Sequence, residues 1–235
     1  METTYIEIDS PDKHLSDVLE EIPSNVILYK TLTGIGATYS EIKAQRHSII
    51  IEPNVPVIIG KCNSAKHKND NLLGVYEGVT TDRIIKYLGA SRGKYYKILT
   101  TPESFTKVKD AFLIFNGKIY NTCFLLIDEA HKTIKDVDYR SDIVLPMNDF
   151  FKFKGKALVS ATPLKFSDPR FEENGFSIIK IEPTYDYAKE IDIKPSTNIL
   201  REVWEEFGWM PFITGQDKDR PFFIFINSVD IIYSI

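Results

Sequence analysis

Runs of consecutive apolar residues, rather than alternating ones, set the pattern of this chain. Val26–Tyr29, Ser48–Ile51, Lys97–Thr100, Phe124–Ile127, Lys156–Val159 and Ser177–Ile181 each read as a short strand, and Gly74–Tyr76 as another. A strand apolar on both sides predicts burial between two layers, as in a mostly parallel sheet with helices on both faces. Helical spacing fills the intervals. Leu15, Val18, Leu19 and Ile22 predict a helix over residues 12–22 on the sheet edge, closed by Pro23. Thr80-Thr81-Asp82 reads as the cap of a helix from Arg83 to Leu88, and Thr101-Pro102-Glu103-Ser104 opens another. The fold class is α/β.

Beyond the last of these strands the pattern changes. Residues 183–195 are polar with prolines at both ends and read as a linker. Asn198–Phe207 has helical spacing, Pro221–Ile226 is a strand, and an apolar helix starting at Val229 is expected to continue, so the chain reads as the front part of a longer protein.

The run Phe124–Ile127 ends abruptly in Asp128-Glu129-Ala130-His131. In open α/β sheets ligands gather at the carboxyl ends of the strands, so both carboxylates are expected at a site edge. Nucleotide hydrolysis has use for two: a hard oxygen for Mg²⁺, given to Asp128, and a base that orients the attacking water, given to Glu129. A solvated acidic turn is the alternative for a run considered alone.

Val26–Tyr29 leads into Thr31-Leu32-Thr33-Gly34-Ile35-Gly36-Ala37-Thr38 and a polar helix start through Ser40 and Glu41. Strand, glycine turn and helix together direct backbone N–H groups at phosphate oxygens, with Thr38 offering a hydroxyl to Mg²⁺. The usual phosphate loop carries lysine where this chain has Ala37. Lys30, just before the turn, and Lys61 are the candidates to supply the missing charge. Ser160-Ala161-Thr162-Pro163 places small hydroxyl residues at another strand end. Phe150, Phe151 and Phe153 suit core or interdomain packing better than base stacking.

Composition narrows the classes. With 235 residues, 43% of them hydrophobic, the chain can bury one large α/β core and begin a second. No apolar run reaches the roughly 18 residues of a membrane span. Residues 1–10 lack the marks of a signal peptide, and Cys62 and Cys123 lack metal-ligand spacing, so a cytoplasmic protein is expected. The net charge of −4 hides a polarity: Lys61 to Lys97 holds eight Lys or Arg against three acids, whereas Asp168 to Arg220 holds twelve acids against seven bases. The first segment could meet phosphates; the second could dock a partner.

Thr33–Thr38, Pro53-Asn54, Thr100-Thr101-Pro102, Asp128–His131, Ser160–Thr162 and Phe225-Ile226-Asn227-Ser228, in that order, resemble the motifs of superfamily 2 helicases with a DEAH box. The Gly-Ile-Gly-Ala-Thr and Thr-Thr-Pro-Glu-Ser-Phe wording is similar to helicase-like proteins of Bacteroidetes phages and mobile elements. The resemblance implies a RecA-like P-loop NTPase domain over 1–182, the linker 183–195 and the beginning of a second RecA-like domain over 196–235. It implies ATP and Mg²⁺ as ligands, with Thr33, Gly34, Ile35, Gly36, Ala37 and Thr38 around the phosphates and Asp128 and Thr38 on the metal. Glu129, with Asp128 and His131, would carry hydrolysis, and His131 with Ser160, Ala161 and Thr162 would couple it to domain motion. Pro53, Asn54, Thr101 and Pro102 would contact a DNA or RNA backbone. Ala37 and the missing arginine-finger motif imply a poor ATPase in isolation, and a degenerate module that binds nucleic acid or nucleotide without turnover is the alternative.

Overall fold

Among the described residues, eight strands form one sheet in the order β1-β8-β2-β7-β6-β3-β5-β4, with every neighbouring pair parallel. They are β1 (Thr3–Ile8), β2 (Val26–Lys30), β3 (Ser48–Ile51), β4 (Leu72–Val75), β5 (Lys97–Thr100), β6 (Phe124–Ile127), β7 (Gly155–Ser160) and β8 (Ser177–Pro183). The computed structural model describes residues 1–32, 34–135, 145–162 and 168–186, all within one compact unit, Met1–Tyr187. Thr33, Pro163 and the segments expected as a linker, a helix over 198–207, a strand over 221–226 and a helix from Val229 lie wholly or mainly outside the described residues.

The unalternating runs form strands because both of their faces are covered. In β6, Phe124 and Leu126 enter one apolar cluster while Leu125 and Ile127 enter the other. The first cluster also takes residues of α1 (Leu15–Val18), α2 (Ala37–Lys43) and α3 (Val55–Asn63). The second takes residues of α4 (Thr81–Ala90), α5 (Phe105–Phe115), α6 (Ile119–Thr122), α8 (Leu145–Phe150) and α9 (Arg170–Glu173), and Ala130 from α7 (Ala130–Lys135). Helices therefore flank both faces, the expected α/β architecture. Phe150 and Phe153 are core residues, their rings meeting Phe171, Phe176, Phe105 and Tyr120. No helix among the described residues is long and apolar enough to cross a membrane.

One expectation is corrected. The helix over 12–22 is a single turn, α1, and Leu19 is already extended at φ −141° and ψ 114°. The Leu15 N–H is bonded to Ile35 O at 2.8 Å, which ties this segment to the glycine turn. Leu15 and Ile22 are buried from a mostly non-helical path, docking having overridden a local preference too short to stand alone. Residues 1–10 contribute β1, whose partner is β8, 175 residues further along the chain by the Thr3–Ile178 register. Among the described residues, β8 alone pairs with this half-exposed edge strand.

Candidate functional site

Because all strands run one way, their carboxyl ends share one edge, and the register decides which residues meet there. Ile127 is level with Ile51 on β3 and Leu158 on β7, Tyr29 is level with Ser160, and Ile51 with Thr100. Lys30, Ser160, Asp128, Glu52-Pro53-Asn54 and Thr101-Pro102 consequently emerge side by side. A cleft of about 300 Å³ opens at this edge, lined by Gly34 to Tyr39, Lys30, Glu52, Asn54, Val57, Lys61, Asp128, Glu129 and Lys132.

The glycine turn adopts the backbone its sequence suggested. Gly34 and Gly36 have φ of 81° and 88°, a left-handed geometry that costs a side-chain-bearing residue, and Gly36 caps α2. Behind the turn, Glu41 is fully buried and accepts from Arg46 Nη2 at 2.6 Å and Ser48 Oγ at 2.6 Å, while the Arg46 guanidinium lies 3.5 Å from the Phe124 ring centroid. These contacts pin α2 to β3 and β6. The turn is therefore held against the strand that carries the carboxylates.

At the centre, Thr38 Oγ1 donates to Asp128 Oδ2 at 2.5 Å, and Lys30 Nζ lies 2.9 Å from Asp128 Oδ1 and 2.8 Å from Glu129 Oε1. The Glu129 N–H donates to Asp128 Oδ1 at 2.9 Å. Glu129 has φ 51°, an uncommon value for a residue with a long side chain, and marks the sharp reversal from β6 into α7. Burial works against the Lys30 ammonium, but Asp128 and Glu129 outweigh it and hold its pKa above the usual lysine value. Glu52 behaves oppositely. Burial first, then repulsion from Asp128, pushes its carboxyl up to about 7, with Lys61 acting against the rise.

His131 links the carboxylates to β7. Its Nε2 is 3.4 Å from Glu129 Oε2 and its Nδ1 is 3.2 Å from Ser160 Oγ. The Ser160 hydroxyl donates to Thr162 O at 2.7 Å and accepts from the Thr162 N–H at 3.1 Å. With that proton committed, His131 Nδ1 must be the donor.

The chemistry of the donor set can be tested against a Mg²⁺–nucleotide. Among the described residues no group of three or more His, Cys, Asp or Glu could hold a metal ion. One hydroxyl and one carboxylate, Thr38 and Asp128, nevertheless fit a Mg²⁺ ion, which keeps water and takes phosphate oxygens for the rest of its shell. The residues fit the group.

The other expected site residues divide. Gly34, Ile35, Gly36, Ala37 and Thr38 line the cleft, and Asn54, the residue that caps α3, joins them. Pro53 is half-buried beside it. Thr101 and Pro102 reach the same edge but are buried, and the Thr101 hydroxyl accepts from the Ser104 N–H at 3.3 Å. Ala161 and Thr162 are half-buried. Sequence reasoning passed over Glu52, although a carboxylate directly after Ile49-Ile50-Ile51 repeats the signature that singled out Asp128. Tyr39 and Lys132 carried no such signal.

No family model matches the chain, and no curated protein matches it. Solved structures do. Mss116p, bound to ssRNA and AMP-PNP, aligns over 94% of this chain and 56% of its own, with a TM-score of 0.51 and 13% identity. The Pyrococcus furiosus Hef helicase domain aligns over 73% and 38%, at a TM-score of 0.48 and 14% identity. A DEAD box protein from the hyperthermophile Methanococcus jannaschii aligns over 67% and 45%, at 0.43 and 20%. This chain thus spans 38 to 56% of the lengths of these proteins. At such identities the likeness is one of fold, and the match to Mss116p carries it: the chain has a RecA-like α/β fold.

Proposed function

We propose that the chain carries the ATP-binding domain of a superfamily 2 nucleic-acid helicase or translocase of the DEAH type, working in the cytoplasm. On this reading residues 1–182 form the first RecA-like domain, 183–195 the linker and 196–235 the start of the second. The observation that carries the proposal is the convergence of Thr38, Lys30, Asp128 and Glu129, which lie 90 or more residues apart across the β2 turn and the end of β6, into one hydrogen-bonded group beside a glycine turn. The Gly-Ile-Gly-Ala-Thr and Thr-Thr-Pro-Glu-Ser-Phe wording supports a relationship to helicase-like proteins of Bacteroidetes phages and mobile elements.

In this mechanism the N–H groups of the turn hold the phosphates, preorganised before substrate arrives. Thr38 and Asp128 would hold Mg²⁺, which when bound neutralises charge on the phosphate oxygens. Glu129 orients a water molecule and takes its proton as the oxygen attacks the γ-phosphorus. The bond to the bridging oxygen breaks, leaving ADP and phosphate. His131, touching both Glu129 and Ser160, reports the change to β7. Pro53-Asn54 and Thr101-Pro102, which follow strands ending at the same sheet edge, would contact a DNA or RNA backbone on this reading, a contact that carries no sequence information.

Calorimetric titration of ATP with and without Mg²⁺, repeated on Asp128→Ala, tests the reading. Mg²⁺-dependent binding with a Kd on the order of 1 μM to 1 mM, weakened by the substitution, is expected. No binding by a folded chain would overturn it. Ala37 favours a second reading, a module that binds nucleotide or nucleic acid without turnover; Glu129 weighs against it, since a scaffold has no chemical need for a water-activating carboxylate.

A further inference from the structure

We infer that Lys30, the last residue of β2, does the phosphate-binding work for which this glycine turn has no lysine, leaving Asp128 and Glu129 for nucleotide phosphate oxygens when the cleft fills. The inference rests on the nucleotide reading above. It begins from placement. An ammonium as buried as that of Lys30 is costly unless its hydrogen bonds are met, and here two carboxylates meet them.

Ala37 begins α2 at the mouth of the turn, lines the same cleft and ends in a methyl group. No side chain from that position crosses the space between turn and carboxylates. Lys30 enters the space from the strand that feeds the turn, so its Nζ comes close to where a lysine on α2 would reach from the other side. Lys61 and Lys132 line the cleft as well, yet among the described residues neither forms an ion pair with Asp128 or Glu129. Lys30 alone of the three is tied to both.

The exchange has an electrostatic logic. One ammonium between two carboxylates leaves the group with excess negative charge, which would repel a polyphosphate. A nucleotide arriving with its cation gives Asp128 a new partner and offers Lys30 phosphate oxygens in place of carboxylate ones. Glu129, released from Lys30, is then free to accept a water proton. Lys30 is thus a switch between two partner sets, holding the carboxylates together in one and the phosphates in the other.

The test is Mg²⁺–ATP affinity by calorimetry for the full 235-residue chain, with circular dichroism confirming the fold of each variant. Lys30→Ala and Lys30→Met are expected to raise Kd by at least about tenfold, the worth of a charge-assisted hydrogen bond. Ala37→Lys placed in the Lys30→Ala background is expected to bring Kd back to within about threefold of the unsubstituted chain, a rescue that a merely structural lysine would not give. Affinity unchanged by either Lys30 substitution would overturn the inference alone, as would a folded double variant without rescue, or a Lys61→Ala loss larger than that of Lys30→Ala. A folded, unsubstituted chain that fails to bind Mg²⁺–ATP would overturn the nucleotide reading, and the inference with it.

Discussion

His131 and Ser160 share a hydrogen bond across the carboxyl ends of neighbouring strands, Nδ1 to Oγ at 3.2 Å, while the other ring nitrogen faces Glu129. The imidazole therefore spans the distance between the acid assigned to water activation and the end of β7. Removing the serine hydroxyl takes away the acceptor for Nδ1 and frees the ring to turn, without touching the phosphate turn. On the proposed function, the coupling between nucleotide and nucleic acid should fall while each ligand still binds.

The expected outcome for Ser160→Ala is read from single-stranded oligonucleotide affinity measured with and without Mg²⁺–AMP-PNP. Coupling energies carried by such intermediate residues are about 0.5–2 kcal/mol, so the ratio of the two affinities should shrink by roughly 2- to 30-fold. A ratio equal to that of the unsubstituted chain would remove His131 and Ser160 from the coupling path.

Glu129→Gln keeps the size of the side chain and one acceptor oxygen but cannot take a proton at neutral pH. Mg²⁺–ATP affinity should stay within about threefold, and any turnover should drop by about 10²–10⁴, the usual worth of a positioned base. Measured phosphate release settles the matter between the two readings of function. Turnover equal in both forms means that Glu129 is not the base, and absence of turnover in the unsubstituted chain together with tight binding favours the module without hydrolysis.

Much of this fold was legible because buried parallel strands leave continuous apolar runs: Ser48–Ile51, Lys97–Thr100 and Phe124–Ile127 stand where the sequence predicts them. The strand β1 was not legible, since Thr-Thr-Tyr-Ile-Glu-Ile has one half-exposed face and acquires a partner only when β8 arrives from the far end of the domain. Helix α1 was overread because the spacing of Leu15, Val18, Leu19 and Ile22 records which residues are buried, not by what backbone path. For the site, strand-end position was enough to single out Asp128 and Glu129. Choosing Lys30 over Lys61 required the reach of a side chain, a quantity that sequence separation does not encode.

Lys97 was counted among the basic residues that could meet phosphate, and its burial removes it from that role. Its Nζ donates instead to Glu41 O, Ala44 O and Ser48 Oγ, closing the end of α2. Burial lowers its pKa to about 8, with Glu41 acting in the opposite sense. The folded state thus binds fewer protons than the unfolded one between about pH 8 and the ordinary lysine value. The cost of the buried charge is fully present below that window and is relieved as pH rises through it. Relative to Lys97→Met, the unsubstituted chain should gain about 2–3 kcal/mol of unfolding free energy from pH 7.5 to 10.5. Urea unfolding of both forms at each pH measures the difference, and a constant difference would mean that Lys97 keeps its charge.

With Lys97 buried, the basic stretch presents Lys66, Lys68, Arg83, Lys86, Arg92 and Lys94 to solvent, with Lys61 half-buried. Exposed ammonium and guanidinium groups bind nucleic acid chiefly by releasing condensed counterions, so affinity for a single strand should fall linearly in log–log plots against salt. Each phosphate neutralised contributes a slope of about −0.7 for single strands. Lys66→Ala with Lys68→Ala should therefore flatten the slope by up to about 1.4 if both meet the backbone, and should weaken binding alike for unrelated sequences. A slope near zero in the unsubstituted chain would point away from phosphate contacts and toward a protein partner docked on the acidic segment, because only the former leaves a counterion signature.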